Sequence, residues 1–207
     1  MNYKQVGTKD KEAKTMAQNY QSRDVWSRTL SVHGYPIDEL RSVLQKSIRR
    51  GRVEEAALAA YEFFASGAET EEVLWRRLEI IAAEDVGLGM PAAPAIINAL
   101  YLQAGRMADP GDRWIYCAHA VRLLATAKKD NMSMELSGWT KAVVESGERK
   151  VEVEDFMVDV HTRRGVEMER TAAHWWNEGA KLENRMEGYD PKWGNTLRKL
   201  AGAKVDE

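Results

Sequence analysis

The chain is predicted to be all-α, an antiparallel helical array of roughly eight to nine helices. Three observations predict this. Apolar residues recur at intervals of three and four along most of the sequence, the spacing of one helix face. Glycines and prolines stand where those stripes end or begin, as helix stops and starts require. Strand-like alternation occurs only at Val151-Glu152-Val153-Glu154, which has no partner run and reads as an extended connector.

Residues 1–24 are polar, with Lys4, Lys9, Lys11 and Lys14, and are expected to form a mobile or marginally ordered arm. Leu40, Val43, Leu44, Ser47 and Ile48 then stand at offsets 0, 3, 4, 7 and 8, between a starting Pro36 and a closing Gly51. Val53, Ala56, Ala57, Ala60, Phe63 and Phe64 repeat the pattern up to Gly67. Leu74, Leu78, Ile81 and Ala82 mark a third helix closed by Gly87, and a short apolar helix follows through Ile97, Leu100 and Tyr101. Asp109-Pro110 pairs an N-cap with an N1 proline ahead of Trp114, Cys117, Ala118, Val121, Leu124 and Ala125. Residues 128–147 read as a less regular helix. A long helix is expected over 162–186, with Met168, Thr171, Ala172, Trp175, Gly179, Leu182 and Met186 as its apolar stripe, and Asp190-Pro191 starts a final short one. These elements divide as the arm, a helical domain over 25–147, and a connector, long helix and short helix over 148–207 packed on that domain.

Lys and Arg number 30 against 32 Asp and Glu, which excludes a globally basic nucleic-acid coat and a strongly acidic tail. One cysteine excludes a disulfide scaffold and a cysteine zinc cluster. No apolar run is long enough to span a bilayer, and the N-terminus lacks an apolar signal core, so a cytoplasmic protein without a membrane partner is expected. The phosphate-loop, dinucleotide, nucleophile-elbow and H-E-x-x-H motifs are all missing. The chain is therefore not expected to be an enzyme, nor to carry a cofactor or metal. His161 and His174 fall on the expected long helix, but thirteen residues of separation turn them about 140° apart.

Four groups of residues remain as candidates. Arg41, Lys46, Arg49, Arg50 and Arg52 form a basic run with no acid among them, suited to contacting phosphate on a nucleic acid or nucleotide. His161, Arg163 and Arg164 form a smaller cluster that could serve the same ligand. Arg76, Arg77, Glu84 and Asp85 read as a structural ion-pair cluster, since adjacent acids at a helix C-terminus oppose the dipole and need cations. Trp75, Trp176 and Trp193 fall off the apolar stripes and are candidates for a partner interface. A further reading makes the chain a hydrolase using His161 with Glu84 and Asp85, or with Asp155 and Asp159.

The run Leu44-Gln45-Lys46-Ser47-Ile48-Arg49-Arg50-Gly51, with Glu55-Ala56-Ala57-Leu58 after it, resembles the start of the C-terminal helical domain of the MgsA/RarA group of clamp-loader-like AAA+ ATPases. Arg76-Arg77-Leu78 with Ala83-Glu84-Asp85-Val86-Gly87-Leu88 is similar to that domain's R-R-L and S-E-D-I-G-L signature. The segment from Ala120 to Asn131 resembles its A-V-x-Y-L-A-x-A-P-K-S-N run, with Lys128 where the family carries proline. The resemblance covers about residues 35–134, and the part with His161-Thr162-Arg163-Arg164-Gly165 and Trp175-Trp176-Asn177-Glu178-Gly179 is similar instead to stand-alone proteins with the same domain. It implies a collar-type domain that mediates homo-oligomerisation, with a tetramer favoured, in the service of DNA replication, recombination or repair. DNA and an AAA+ ATPase or replication protein are the partners it implies. With 207 residues leaving no room for an ATPase core, a non-catalytic oligomerisation and interaction module is expected, with nucleic-acid binding through the Arg41–Arg52 run as the alternative.

Overall fold

The computed structural model describes residues 24–205; all of the expected N-terminal arm except Asp24 lies outside them. The fold is all-α. Among the described residues the only β pairing is an isolated bridge between Leu30 and Pro36. Two compact units divide between Ala142 and Val143.

In the first unit, Asp24 caps a single 3₁₀ turn, Val25–Ser27, and a short loop leads into α1 (Ile37–Arg49). Gly51 takes φ +71°, the left-handed residue that ends α1. α2 (Val53–Ala65) returns antiparallel and α3 (Ala68–Ile81) follows Gly67. α3 continues into a π turn, Ala82–Val86, and a 3₁₀ turn, Gly87–Gly89. α4 (Ala93–Ala104) and α5 (Pro110–Thr126) complete the array, with Asp109 accepting from the amides of Gly111 and Asp112 to cap α5. α2 packs on α1, α3 and α5, and α5 also receives α4. Ile37, Leu44, Phe63, Leu78, Ile97 and Leu124 are fully buried in the one core they share.

Two crossings tie this core together. Gly87 has φ +48° and lies against Asp130, while Gly89 lies against the Lys128 carbonyl so closely that a Cβ would collide with it. The Asp130 amide donates to the Asp85 carbonyl at 3.0 Å, and the Asp130 carboxylate accepts from the Leu88 and Met132 amides, each at 3.0 Å. Lys129 turns its ammonium back to donate to the Leu124 and Ala125 carbonyls at 2.9 and 3.0 Å, covering free acceptors at the end of α5. α6 (Met132–Glu145) follows, and every residue from 131 to 142 is exposed.

The second unit departs from expectation. The long helix predicted over 162–186 is broken into α7 (Arg163–Glu167), α8 (Ala172–His174) and a π turn, Trp175–Gly179. Glu169 takes φ +57° and the Arg170 amide bonds back to the Gly165 carbonyl at 2.9 Å, which ends α7; Thr171 then caps α8. A second left-handed residue, Asn184 at φ +52°, lies in the loop beyond the π turn. The supposed stripe therefore faces solvent at Met168, Leu182 and Met186. Gly165 sits against the Asp159 carbonyl where no side chain fits. α9 (Lys192–Leu200) follows Asp190-Pro191. No helix among the described residues is long and apolar enough to cross a membrane.

Candidate functional site

Spacing on α1 makes the site. Ile37, Leu40, Leu44 and Ile48 bury one face, which leaves Asp38, Arg41, Ser42, Gln45, Lys46 and Arg49 to line the opposite one. Arg77 from α3 and Glu84 from the π turn close a cleft of about 270 Å³ over them. At its floor Asp85, 1% exposed, receives Arg49 through a charge-assisted hydrogen bond and the Gln45 amide at 2.8 Å. Arg49 also stands 3.6 Å from Glu84. The Asp85 carboxylate raises the pKa of Arg49 above the ordinary arginine value, against burial, which lowers it.

Arg41 is held by Asp24 at the rim. Burial alone would raise the Asp24 carboxyl, but the Trp26 amide and Arg41 outweigh it and hold it below the usual aspartate value. Arg77 makes only a long contact of 3.4 Å to the Gln45 side-chain oxygen. Among the described residues neither Arg77 nor Lys46 has a carboxylate within ion-pair reach. A second cavity of about 250 Å³, lined by Trp26, Arg41, Val73, Arg76, Arg77 and Ile80, shares Arg41 and Arg77 with the first.

The basic run is thus divided. Arg41, Lys46 and Arg49 share the cleft, whereas Arg50 and Arg52 are exposed at the end of α1 and the start of α2 and do not line it. The expected cluster of Arg76, Arg77, Glu84 and Asp85 does not form as such. Asp85 belongs to Arg49 and Gln45, and Arg76 pairs with Glu72 on its own helix at 2.9 Å. Trp75 is 2% exposed against Tyr101 and presents nothing to a partner, because α3 turns it inward under α4. Sequence reading missed Gln45, although Arg41, Gln45 and Arg49 at four-residue spacing announce a common line on α1. Trp26 was missed as well; no periodicity marks it.

The cluster of the second unit is different in kind. His161 is exposed, meets Asp159 at 3.2 Å and lies edge-on to Trp175 at 5.4 Å. Asp155 is taken by Arg170 in a two-pronged pair that lowers the Asp155 carboxyl, not by His161. Arg163 pairs with Glu167 at 3.3 Å. Trp176 is half-buried between Trp175 and the Arg198 guanidinium, while Trp193 is 79% exposed. Cys117 is buried, and burial pushes its thiol up to about 12. Among the described residues no group of three or more His, Cys, Asp or Glu could hold a metal ion.

The residues with recognisable motifs prove to be mutual neighbours: the run before Gly51 supplies Arg49, the acid signature supplies Asp85, and the Lys128 segment supplies Lys129 and Asp130. The profile of the family described as MgsA AAA+ ATPase C terminal matches residues 52–192. The chain belongs to that family. The match to the MgsA C-terminal family begins just after the 44–51 run and continues past Met134, where the motif resemblance ends, into α9. A search of curated proteins finds no match. Of the residues that carry the motif resemblance, Asp85 accepts the Asp130 amide at its carbonyl and Gly87 lies against Asp130.

Proposed function

We propose that the chain is a non-catalytic module that self-associates and serves AAA+ ATPases of DNA replication, recombination or repair. The observation that carries this reading is an apolar groove of about 380 Å³ on the outer side of α1 and α2. Tyr35, Leu40, Val43, Leu58, Ala59 and Tyr61 line it, with Glu55 and Glu62 among them, and Leu58 is 71% exposed. A continuous apolar surface with acidic residues beside it is the make-up of an association surface rather than of an ordinary solvent face. Membership of the MgsA C-terminal family supports the ATPase connection. A second copy of the chain is the occupant we assign to the groove, since the resemblance to collar-type domains implies homo-oligomerisation and most soluble oligomers are closed homo-oligomers.

The test is solution mass by light scattering over a wide concentration range. Assembly is expected at micromolar chain, and Val43→Glu with Leu58→Glu is expected to return the protein to monomer with little change in thermal midpoint, both side chains being exposed. A strict monomer at every concentration would overturn the self-association.

A further inference from the structure

The two cavities that meet at Arg41 and Arg77 have unlike chemistry. The first is polar, with Lys46, Arg49 and Arg77 beside Ser42 and Gln45, and Asp38 and Glu84 line it as well. The second is walled by Trp26, Val73 and Ile80, with Arg76 and Arg77 at its edge. The furrow as a whole lies between α1 and one line of α3, where Val73, Arg76, Arg77 and Ile80 stand at offsets 0, 3, 4 and 7.

Arg49 and Arg41 are neutralised from behind by Asp85 and Asp24, but Lys46 and Arg77 have no carboxylate among the described residues. Arg77 is half-buried, so its guanidinium is partly stripped of water with only the Gln45 oxygen, 3.4 Å away, in return. A planar five-donor guanidinium and a flexible ammonium together match the oxygens of a phosphate. The indole of Trp26 and the flank of Ile80 match a flat ring, which stacks on an aromatic wall whatever its edge pattern. Each cavity alone is small for a ligand, and the two joined reach the size of an ordinary small-molecule site.

We propose that this furrow binds a nucleotide, its phosphate between Lys46 and Arg77 and its base against Trp26 and Ile80. The same chemistry is offered by a free nucleotide and by the phosphorylated end of a single strand. Calorimetric titration of the full chain at low salt, with pyrophosphate, ribose 5-phosphate, AMP, ATP and a short 5′-phosphorylated single-stranded oligonucleotide, separates the possibilities. AMP is expected to bind saturably, one per chain, and about tenfold more tightly than ribose 5-phosphate, which lacks the ring. Lys46→Gln with Arg77→Gln is expected to weaken AMP at least about tenfold, whereas Arg163→Gln with Arg164→Gln leaves it unchanged. If the double variant fails to fold, exposed Lys46→Gln alone still weakens binding and steepens no salt dependence. Binding of the oligonucleotide without AMP assigns the site to a strand end, and binding of both assigns it to the nucleotide itself. Equal affinity for ribose 5-phosphate and AMP overturns the ring half. Absence of saturable binding by every probe, or affinity indifferent to Lys46→Gln, overturns the site.

Discussion

Asp85 is the residue on which the first unit turns. It is a carboxylate with 1% exposure, and three segments reach it: Arg49 and Gln45 from α1, the amide of Asp130, which bonds its carbonyl, and the π turn that carries it. Its partner Arg49 is 43% exposed at the side chain, so the two ends of the pair are unequal. Removing the cation strands a charge in the interior, while removing the anion releases a cation that water can reach. Arg49→Met is accordingly expected to cost about 3 kcal/mol in urea unfolding, and the double variant with Asp85→Leu to recover part of that loss. A double variant no more stable than Arg49→Met would show that Asp85 is not the stranded charge. Acid provides a second measurement. Asp24, through the Trp26 amide and Arg41, and Glu62, through Ser31 and His33, both have carboxyls held below their ordinary values despite burial, which pushes the other way. A depressed folded value stabilises above the unfolded one, near pH 4, and that stability is lost as pH falls through the folded value. Thermal midpoints are therefore expected to hold from pH 7 to about 5 and fall below about 4, and Asp24→Asn to lower the midpoint at pH 7 but not at the acid end.

At the scale of elements, the first unit was legible because its helices announce themselves twice, by stripe and by stop. Ile37–Arg49 ends at Gly51, and Pro110–Thr126 starts at Asp109-Pro110, where the spacing places them. Which cation meets which acid was not legible. Arg77 is near Glu84 in the chain, but Asp85 goes to Arg49, thirty-six residues away in sequence, because packing α1 on α3 brings them together. The second unit was illegible for another reason. Its first helix ends at a non-glycine residue in the left-handed region, Glu169, which signals no break as glycine would, and its π turn ends at Ala180 with no left-handed residue at all. A run with helical periodicity was thus read through two stops. The close crossings yield a prediction here. Gly89→Ala drives a methyl into the Lys128 carbonyl and is expected to cost about 2–3 kcal/mol, whereas Gly34→Ala, at φ +86° in open space, costs about 1 kcal/mol. Equal chemical-denaturation midpoints for the two variants would mean that the Gly89 crossing opens without penalty.

For the whole molecule, the Asp85, Asp130 and Lys129 contacts secure the array, the groove over α1 and α2 is the surface proposed for a second copy, and the furrow on the other side of α1 is the pocket proposed for a phosphate. One helix thus buries a core face and shows two different faces to its surroundings. The family match starts at Arg52, so Arg41, Lys46 and Arg49 of the furrow stand ahead of it. The cleft and groove were half legible for that reason: their residues are named in the sequence, but only the burial of Leu40, Leu44 and Ile48 settles which of them look outward.

The helix α6 has a use of its own. Met132, Leu136 and Trp139 lie at offsets 0, 4 and 7, on a helix whose residues up to 142 are all exposed. A helix of 14 residues that buries little of its own surface is marginal in water, so its hydrogen bonds open more readily than those of a buried helix. Its amides should therefore exchange for deuterium within seconds in separate chains, while those of buried α5 last far longer. Any assembly that covers α6 will slow its exchange, and one that leaves it bare will not. The protein carries its own gauge of company, readable by mass spectrometry without label or mutation.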